Sequence, residues 1–434
     1  MFKRLPVPGS ALGNLIAKLM IVGLGLAITV VVARQGPLVQ GSFALFMAVE
    51  SGMLTLFSGL GLWLARHLSR QAGEGGDSAT RSRPMLLGVL RAAVGLGLLA
   101  SLALLGWSWM AQSAPYNQLW LLALAAPFLL LVPTATGLWL GQGQMWPINT
   151  AQVAQPALVL AGLGGAMWLV EGTDRVAPMV LLVLIAWVSA KSLVGVITTF
   201  GALHSASHRD ARLEHVVLPS PRWREDWRFV AVIGVTNLVS LLNYRASLFL
   251  VERFLGLEAV GTYSVAVSVA ELLWLVSSAV TMSLYARIGA PDRRTAAQQT
   301  IRAVRFNVLV TVLAAPVLWA LAAWALPLVM GPVYVASITP LAALLPGVAA
   351  YAAASSLSAF YTNHLGRPHL SGLVAGLSLL TSVVAAMVLI PVFGAVGAAA
   401  ASTLGYVLAI TVACHLFLKE AALPWRAFWT AAKA

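Results

Sequence analysis

Charged residues are scarce in this chain of 434 residues. Asp, Glu, Lys and Arg together make up 9% of it, whereas a soluble globular domain carries about 25%. So few charges are atypical of a protein whose whole surface faces water, and a disordered chain would need many more of them. The scarcity excludes a typical cytosolic enzyme and an intrinsically disordered protein.

Cysteine is almost absent, because Cys414 is the only one in the sequence. No disulfide can form within the chain, which excludes a small secreted domain held together by disulfides. Cys414 lies in an apolar run. We therefore interpret it as a small hydrophobic residue of the core or of a lipid-facing surface.

Motifs for catalysis and for cofactors are absent as well. The sequence has no Gly-x-x-x-x-Gly-Lys-Ser/Thr run, which would bind nucleotide phosphates. The predicted outer loops lack the acidic cluster that a metal-dependent glycosyltransferase would need. His204 and His208 have the i, i+4 spacing of metal ligands, but they lie in a polar loop segment. We predict no catalytic residue, no metal site and no cofactor, and thus a protein that is not an enzyme.

Long apolar runs are what the sequence has in abundance, and 60% of its residues are hydrophobic. A helix that spans a membrane needs ~20 predominantly apolar residues. The chain contains twelve such runs, which predict an all-α membrane protein with twelve transmembrane helices. The predicted spans are 11–33, 41–65, 85–111, 119–141, 147–170, 178–202, 229–250, 262–284, 304–326, 339–362, 370–392 and 394–418.

The excess of positive charge is distributed unevenly between the loops. The net charge is +13, from 27 Lys and Arg against 14 Asp and Glu. With the N-terminus inside, 20 of the 27 basic residues fall in inside segments and 3 in outside segments. Because Lys and Arg accumulate on the cytoplasmic side of membrane proteins, both termini are predicted to be cytoplasmic. The basic residues form no continuous stripe, so we predict no nucleic-acid partner.

An internal repeat relates the two halves of the chain. Arg34 and Arg253 are 219 residues apart, Gly41 and Gly261 are 220 apart, and Glu50 recurs 221 residues later as Glu271. This nearly constant offset predicts two six-helix lobes, residues 1–205 and 229–434, joined by a basic cytoplasmic loop, residues 206–228. Six crossings return the chain to the same side, so both lobes enter the membrane in one direction, as in transporters with parallel repeats. A tandem-duplicated scaffold would show the same repeat.

Two acidic residues lie inside the predicted spans. Glu50 and Glu271 are each about nine residues into their span from the outside, which places them ~14 Å deep at 1.5 Å per residue. A charge at that depth costs ~2.5–3.5 kcal/mol on insertion scales, so it marks a candidate functional group. We predict either a role in ion coupling, with a proton or sodium, or structural pairing with a cation.

Several cations lie within the predicted spans or at their outer ends. Lys18, Lys191 and Arg245 are inside spans, and Arg34 and Arg253 follow the first and seventh spans. Together they are candidates to bind an anion, since the arginine fork contacts phosphate through two hydrogen bonds. The alternative for each is a side chain that reaches towards the membrane surface, or an ion pair with a nearby glutamate.

The order of several short motifs resembles that of bacterial polysaccharide flippases of the O-antigen type. These proteins belong to the multidrug/oligosaccharidyl-lipid/polysaccharide exporter superfamily. The resemblance covers essentially the whole chain, although no single motif is decisive. The segments that carry it are 33–43 (ARQGPLVQGSF), 242–248 (LNYRASL), 259–264 (AVGTYS), 270–274 (AELLW), 363–368 (NHLGRP) and 394–399 (GAVGAA).

This resemblance implies a MATE-like arrangement of two six-helix lobes around a cavity. It implies a flippase that moves an undecaprenyl-pyrophosphate-linked oligosaccharide from the inner to the outer leaflet of the bacterial cytoplasmic membrane, for surface polysaccharides such as the O-antigen of lipopolysaccharide. Its partners would be that lipid-linked oligosaccharide, membrane lipids and other polysaccharide-assembly proteins. Arg34 and Arg245 would be cavity cations. Relatives often carry an acidic residue where this chain has Ser247, so coupling here would use other groups or be absent.

Two other functions fit the same spans. A cation-coupled multidrug antiporter of the superfamily would share the two lobes, but its cavity should favour acidic residues. A membrane polysaccharide polymerase or ligase would need a large outer loop with catalytic Arg or His, and every predicted outer loop is short. Four cations are embedded in the predicted spans when Arg91 is counted with Lys18, Lys191 and Arg245. They outnumber the two embedded acids, which favours the flippase.

Overall fold

The computed structural model describes residues 9–73, 79–170, 176–211, 217–218 and 224–428. These residues are almost entirely helical, which confirms the predicted all-α membrane fold. The α-helices are α1 (Gly9–Ala33), α2 (Pro37–Leu56), α3 (Gly59–Gly73), α4 (Ser82–Met110), α5 (Leu119–Leu129), α6 (Leu131–Gly141), α7 (Met145–Val170), α8 (Val176–Asp210), α9 (Trp227–Leu255), α10 (Leu257–Glu271), α11 (Leu273–Ile288), α12 (Arg293–Val329), α13 (Ile338–Tyr351), α14 (Ala354–Ala359) and α15 (His369–Ala421).

Short elements connect or extend these helices. Two strands of two residues, β1 (Ala79–Thr80) and β2 (Val217–Leu218), pair in parallel, with Ala79 opposite Val217. The remaining elements are short helices: 3₁₀-helices at Tyr116–Gln118, Pro332–Ser337 and Trp425–Phe428, and a π-helical turn at Phe360–His364.

Ten stretches of the described residues are long and apolar enough to cross a membrane, so this is a multi-pass membrane protein. One of them, α15, has 53 residues and would be ~80 Å long at 1.5 Å per residue, far more than the ~30 Å hydrocarbon core. Gly394, with φ 59° and ψ −139°, interrupts it and divides it into two crossings. Divided in this way, the ten stretches give eleven crossings. The helix α7, which has 26 residues, coincides with the predicted span 147–170 but is not among the ten.

The positions of the helix breaks repeat between the two halves. The second crossing is divided into α2 and α3 near Ser58, and the eighth is divided into α10 and α11 at Leu272. The fourth crossing is divided into α5 and α6 at Leu130, and the tenth into α13 and α14 near Ala353. The breaks at Leu130 and Ala353 are 223 residues apart and those at Ser58 and Leu272 are 214 apart, on either side of the 219–221 of the sequence motifs. The internal repeat is therefore a repeat of local structure as well as of residues.

The contacts divide the chain into two compact units. The first comprises Met1–Gln35 and Phe46–Leu238, and the second comprises Gly36–Leu45 and Val239–Ala434. The predicted lobe boundaries at residues 205 and 229 stay a prediction. The predicted inter-lobe loop, 206–228, lies partly outside the described residues, at 212–216 and 219–223.

Close helix packing forms the core of the first unit. Trp63 of α3 is 1% exposed, within a cluster of buried Leu, Met and Ala side chains from α3, α4 and α6. A Cβ atom on Gly61 would lie 2.1 Å from the Pro133 carbonyl oxygen, and one on Gly137 would lie 2.3 Å from the Gly61 carbonyl oxygen. Glycine is thus required where α3 and α6 meet, as in other membrane proteins whose helices approach through small residues.

Candidate functional site

Glu50 lies in the first unit, and two side chains of α8 bind its carboxylate. It belongs to α2, and its side chain is 1% exposed. Its carboxylate forms an ion pair with Lys191 of α8, which donates from Nζ to Oε1. Trp187 of α8 donates its indole N–H to Oε2. Because residues four apart share one face of a helix, α8 presents both donors to α2.

Lys191 and Trp187 also contact each other. The Lys191 ammonium lies 4.5 Å from the centroid of the Trp187 ring, within the range of a cation–π interaction. Each oxygen of the Glu50 carboxylate accepts a hydrogen bond from one of these two side chains. A buried ion pair is stable only where further hydrogen bonds satisfy its atoms. Trp187 meets that requirement here.

Glu271 forms the second embedded ion pair, with Arg245 of α9. Two parallel hydrogen bonds join them, from Nη1 to Oε1 and from Nη2 to Oε2, each 3.1 Å long. This is the two-pronged geometry that makes arginine–carboxylate pairs strong. The side chains of Arg245 and Glu271 are 29% and 23% exposed, so this pair is more accessible than the pair of Glu50. Glu271 is the last residue of α10, directly before the break at Leu272.

The two embedded acids hold equivalent places in the repeat, but their partners do not. Lys191 comes from the sixth crossing, whereas Arg245 comes from the seventh. The sequence predicts pairing as the alternative to ion coupling, but it does not assign the partners. The structure brings four of the seven predicted site residues together in two pairs. Their roles in substrate binding and in coupling stay predictions.

The other three predicted cations lie on exposed surfaces. Lys18 is exposed on α1, Arg34 is exposed just after the end of α1, and Arg253 is exposed in the last turn of α9. A glycine in the left-handed region follows each arginine within three residues, Gly36 with φ 108° and Gly256 with φ 84°. The repeat therefore preserves the local structure that ends the helix at each arginine.

A cavity of about 280 Å³ lies inside the second unit, with walls from α9, α11, α13, α14 and α15. Its lining includes six serine hydroxyls, three tyrosine hydroxyls and one indole, and no charged side chain. The polar and aromatic lining residues are Ser240, Tyr244, Trp274, Ser277, Ser278, Tyr351, Ser355, Ser358, Tyr361 and Ser371.

Trp274 is the centre of an aromatic cluster in this wall. Its ring centroid lies 5.0 Å from that of Tyr244, 5.9 Å from that of Tyr351 and 6.0 Å from that of Tyr406. The Trp274 indole N–H donates to the Val348 carbonyl oxygen over 3.3 Å. These contacts fix the orientation of the ring, since tilted and edge-on pairs are the favoured arrangements of aromatic side chains.

The role of Trp187 and the presence of this cavity are not predicted from the sequence. The i, i+4 spacing of Trp187 and Lys191 is visible in the sequence, and so are hydroxyl residues such as Ser277 and Ser278 in an otherwise apolar span. Which of these hydroxyls face one space depends on the helix breaks, which the apolar pattern does not show. In the part of the chain that the structure describes, no three His, Cys, Asp or Glu side chains are grouped as metal ligands would be.

Comparison with known proteins identifies the fold. No protein-family model and no curated protein matches the chain. Among solved structures, an inward-facing multidrug-resistance transporter of the MATE family in the MOP superfamily is similar, with a TM-score of 0.74, 15% identity, and coverage of 95% of this chain and 96% of that one. The lipid II flippase MurJ, in an inward closed conformation, is similar with a TM-score of 0.73, 14% identity, and coverage of 95% and 88%.

A third structure, a MOP superfamily transporter from Pyrococcus furiosus, has a TM-score of 0.64 and 17% identity, and each chain is covered over 97% of its length. At these identities the similarity establishes the fold and leaves the substrate open. The chain has the two-lobe fold that MATE transporters share with the flippase MurJ.

Proposed function

We propose that this protein is a flippase for a polyprenyl-pyrophosphate-linked oligosaccharide. It would move that lipid from the inner to the outer leaflet of the bacterial cytoplasmic membrane by alternating access, for the synthesis of a surface polysaccharide. The observation that carries the proposal is that both carboxylates embedded in the described spans, Glu50 and Glu271, are ion-paired within their own unit.

The paired acids leave the spans with a positive balance. Lys191 and Arg245 neutralise Glu50 and Glu271, and Lys18 adds a further exposed cation on α1. Arg34 and Arg253 lie at the outer ends of α1 and α9, where Glu252 and Glu258 match them in number, so the positive balance comes from the cations within the spans. A positive balance suits a substrate with a pyrophosphate, because Lys and Arg bind phosphate oxygens through charge-assisted hydrogen bonds.

A protein path is needed because the headgroup of such a lipid is strongly polar. Each unsatisfied polar group costs several kcal/mol in hydrocarbon, and an oligosaccharide has many hydroxyls in addition to the charged pyrophosphate. Cations and hydroxyls on the protein would replace the lost water, while the polyprenyl tail stays in the lipid. We propose Lys18, Arg34 and Arg245 as contacts of the pyrophosphate and Glu271 as the group whose pairing changes with coupling.

The bias of basic residues supports the proposed orientation, with both termini in the cytoplasm. Fold similarity to the lipid II flippase MurJ supports transport of a lipid-linked cargo. Fold similarity to MATE multidrug transporters supports a second candidate, a cation-coupled multidrug antiporter. One observation favours that candidate: the Glu271 side chain is 23% exposed, so a cationic drug that displaced Arg245 would find a carboxylate.

The two candidates differ in the charge of their cargo, and proteoliposomes test them directly. One set of vesicles carries undecaprenyl-pyrophosphate N-acetylglucosamine, and its appearance in the opposite leaflet is measured with an impermeant sugar-oxidising reagent. A second set measures uptake of ethidium. We expect movement of the lipid and no uptake of ethidium.

Alanine variants test which cations contact the pyrophosphate. Arg34→Ala and Lys18→Ala should each slow lipid movement by about tenfold or more, because a charge-assisted hydrogen bond contributes ~1.5–3 kcal/mol. The matched control is Arg302→Ala, which removes an exposed arginine near the start of α12, and it should move lipid at the wild-type rate. Ethidium uptake without lipid movement would overturn the flippase proposal and support the antiporter.

A further inference from the structure

We propose that the cavity of the second unit binds one neutral sugar ring of the transported headgroup. The inference rests on the proposed function, and it assigns to this cavity a task separate from that of the cations. The cavity is lined by Tyr244 of α9, Trp274 and Ser277 of α11, Tyr351 of α13 and Ser358 of α14.

The size of the cavity fits a single ring. Its volume is about 280 Å³, which at about 30 Å³ per molecule corresponds to roughly nine waters. That space accommodates one pyranose with its substituents and is too small for an oligosaccharide. Any further sugars of a longer chain would have to lie outside it.

Aromatic rings form part of the cavity wall. A pyranose presents C–H groups on its faces, and these pack against the negative face of an aromatic ring. Trp274 is held in place by its hydrogen bond to Val348 and by the rings of Tyr244 and Tyr351. A wall that is already ordered binds without a further cost for fixing its side chains.

The serine hydroxyls give the cavity its polar contacts. Ser278 donates to the Leu275 carbonyl oxygen over 2.9 Å, and Ser358 donates to the Ser371 hydroxyl over 2.9 Å. Their protons are thus used within the protein, while each oxygen keeps a lone pair that can accept a hydrogen bond. A sugar, whose hydroxyls both donate and accept, matches such a surface.

Ser277 points to a missing ligand atom. Its side chain is 2% exposed and lines the cavity, and its hydroxyl has no hydrogen-bond partner among the described residues. Leaving a buried hydroxyl without a partner costs ~1–3 kcal/mol. Because neighbouring atoms cover this oxygen, rotation of the Ser277 side chain towards the cavity would let a sugar hydroxyl supply that partner.

The uncharged lining of the cavity favours a neutral sugar over a cationic drug or a pyrophosphate. A cationic drug would be expected to meet a carboxylate, and a pyrophosphate would be expected to meet lysine or arginine. The residues that line the cavity include neither. Neutral hydroxyls beside aromatic rings favour the sugar over both.

Binding of free glycosides to the purified protein in lipid nanodiscs tests the inference. The probes are the methyl α-glycosides of glucose, galactose, mannose and N-acetylglucosamine, titrated by calorimetry and by quenching of tryptophan fluorescence. We expect saturable binding of at least one, with Kd about millimolar, as for a small ligand held by a few contacts. Ser277→Val should weaken it by about five- to tenfold, the effect of one lost hydrogen bond.

Two further variants make the test specific. Trp274→Leu should abolish binding, whereas Trp274→Phe should retain the binding seen by calorimetry and lose the quenching of fluorescence by the glycoside. The matched control is Ser283→Val on the same helix, where the exposed hydroxyl donates to the Val280 carbonyl oxygen and does not line the cavity. It should bind like the wild type.

The outcomes separate this inference from the proposed function. Lipid movement by a wild-type protein that binds none of the four glycosides would overturn the sugar site alone. Glycoside binding that depends on Ser277 without lipid movement would support the site and overturn the flippase. Equal weakening by Ser277→Val and Ser283→Val, or binding of ethidium that depends on Ser277, would also overturn the sugar site.

Discussion

Removal of the Lys191 charge is the most direct test of the buried ion pair between Glu50 and Lys191 in the first unit. In Lys191→Met the apolar stem stays and the ammonium is lost, so Glu50 keeps a negative charge at a site that is 1% exposed. Breaking a buried pair by removing one partner costs ~3–5 kcal/mol. Because the side chain of Lys191 is itself 13% exposed and Trp187 still donates to Glu50, we expect a loss near the lower end, about 3 kcal/mol.

A double-mutant cycle isolates the pair from other effects. Glu50→Gln in the Lys191→Met background removes the uncompensated charge and keeps a carbonyl oxygen that accepts the Trp187 N–H. This double variant should recover most of the lost stability, since replacing both members of a buried pair is often neutral. Trp187→Phe should cost about 1.5–3 kcal/mol, the range for a hydrogen bond to a charged group.

Reversible unfolding in mixed micelles, followed by circular dichroism, gives the free energies of unfolding. Arg302→Met serves as the control, because it removes an exposed charge, and it should change the free energy of unfolding by less than about 0.5 kcal/mol. A cost below about 1 kcal/mol for Lys191→Met, the size expected for an exposed ion pair, would refute the buried arrangement of Glu50, Lys191 and Trp187.

Two further perturbations test the packing and the surface. Gly61→Ala should destabilise the protein by about 1–3 kcal/mol, because its Cβ would meet the Pro133 carbonyl oxygen at 2.1 Å, whereas Gly88→Ala, with open space around its Cβ, should stabilise by about 0.5–1 kcal/mol. Hydrogen bonds from the Thr295 hydroxyl and backbone N–H lower the pKa of Asp292 from 3.8, so the stability it adds to the start of α12 is present above that value and is lost as the pH falls through the lowered pKa. Asp292→Ala should therefore lower Tm at pH 7 and have less effect in acid, and an equal effect at both pH values would contradict this role.

The crossings could be predicted from the sequence because the length of an apolar run depends on the thickness of the membrane and little on packing. The helix breaks could not be predicted in the same way. Prolines at 127 and 133 flank the break at Leu130, but the break at Leu272 lies in a run without proline or glycine. The conformation at Leu272 depends on packing against neighbouring helices, and the pattern of apolar residues along the sequence does not show that packing.

The embedded charges could also be found from the sequence, since they are rare and costly in an apolar span. Their partners could not. Glu50 and Glu271 occupy matching places in the repeat, yet one pairs with the sixth crossing and the other with the seventh. Pairing depends on which helix faces pack together, and the two halves differ in this respect although their motifs agree. An internal repeat therefore predicts where a residue lies along its span more reliably than it predicts which side chain that residue contacts.

The difference between the two pairs suggests different tasks. The Glu50 carboxylate is buried and contacts two side chains, so separating it from Lys191 would leave a charge in an apolar core. The Arg245–Glu271 pair is about a quarter exposed, and it lies next to Tyr244, which lines the cavity. Because water or a ligand can replace its hydrogen bonds at a lower cost, this pair is the better candidate to open in the proposed transport cycle. The first pair would then stabilise its unit, and the second would release Arg245 to an anionic cargo.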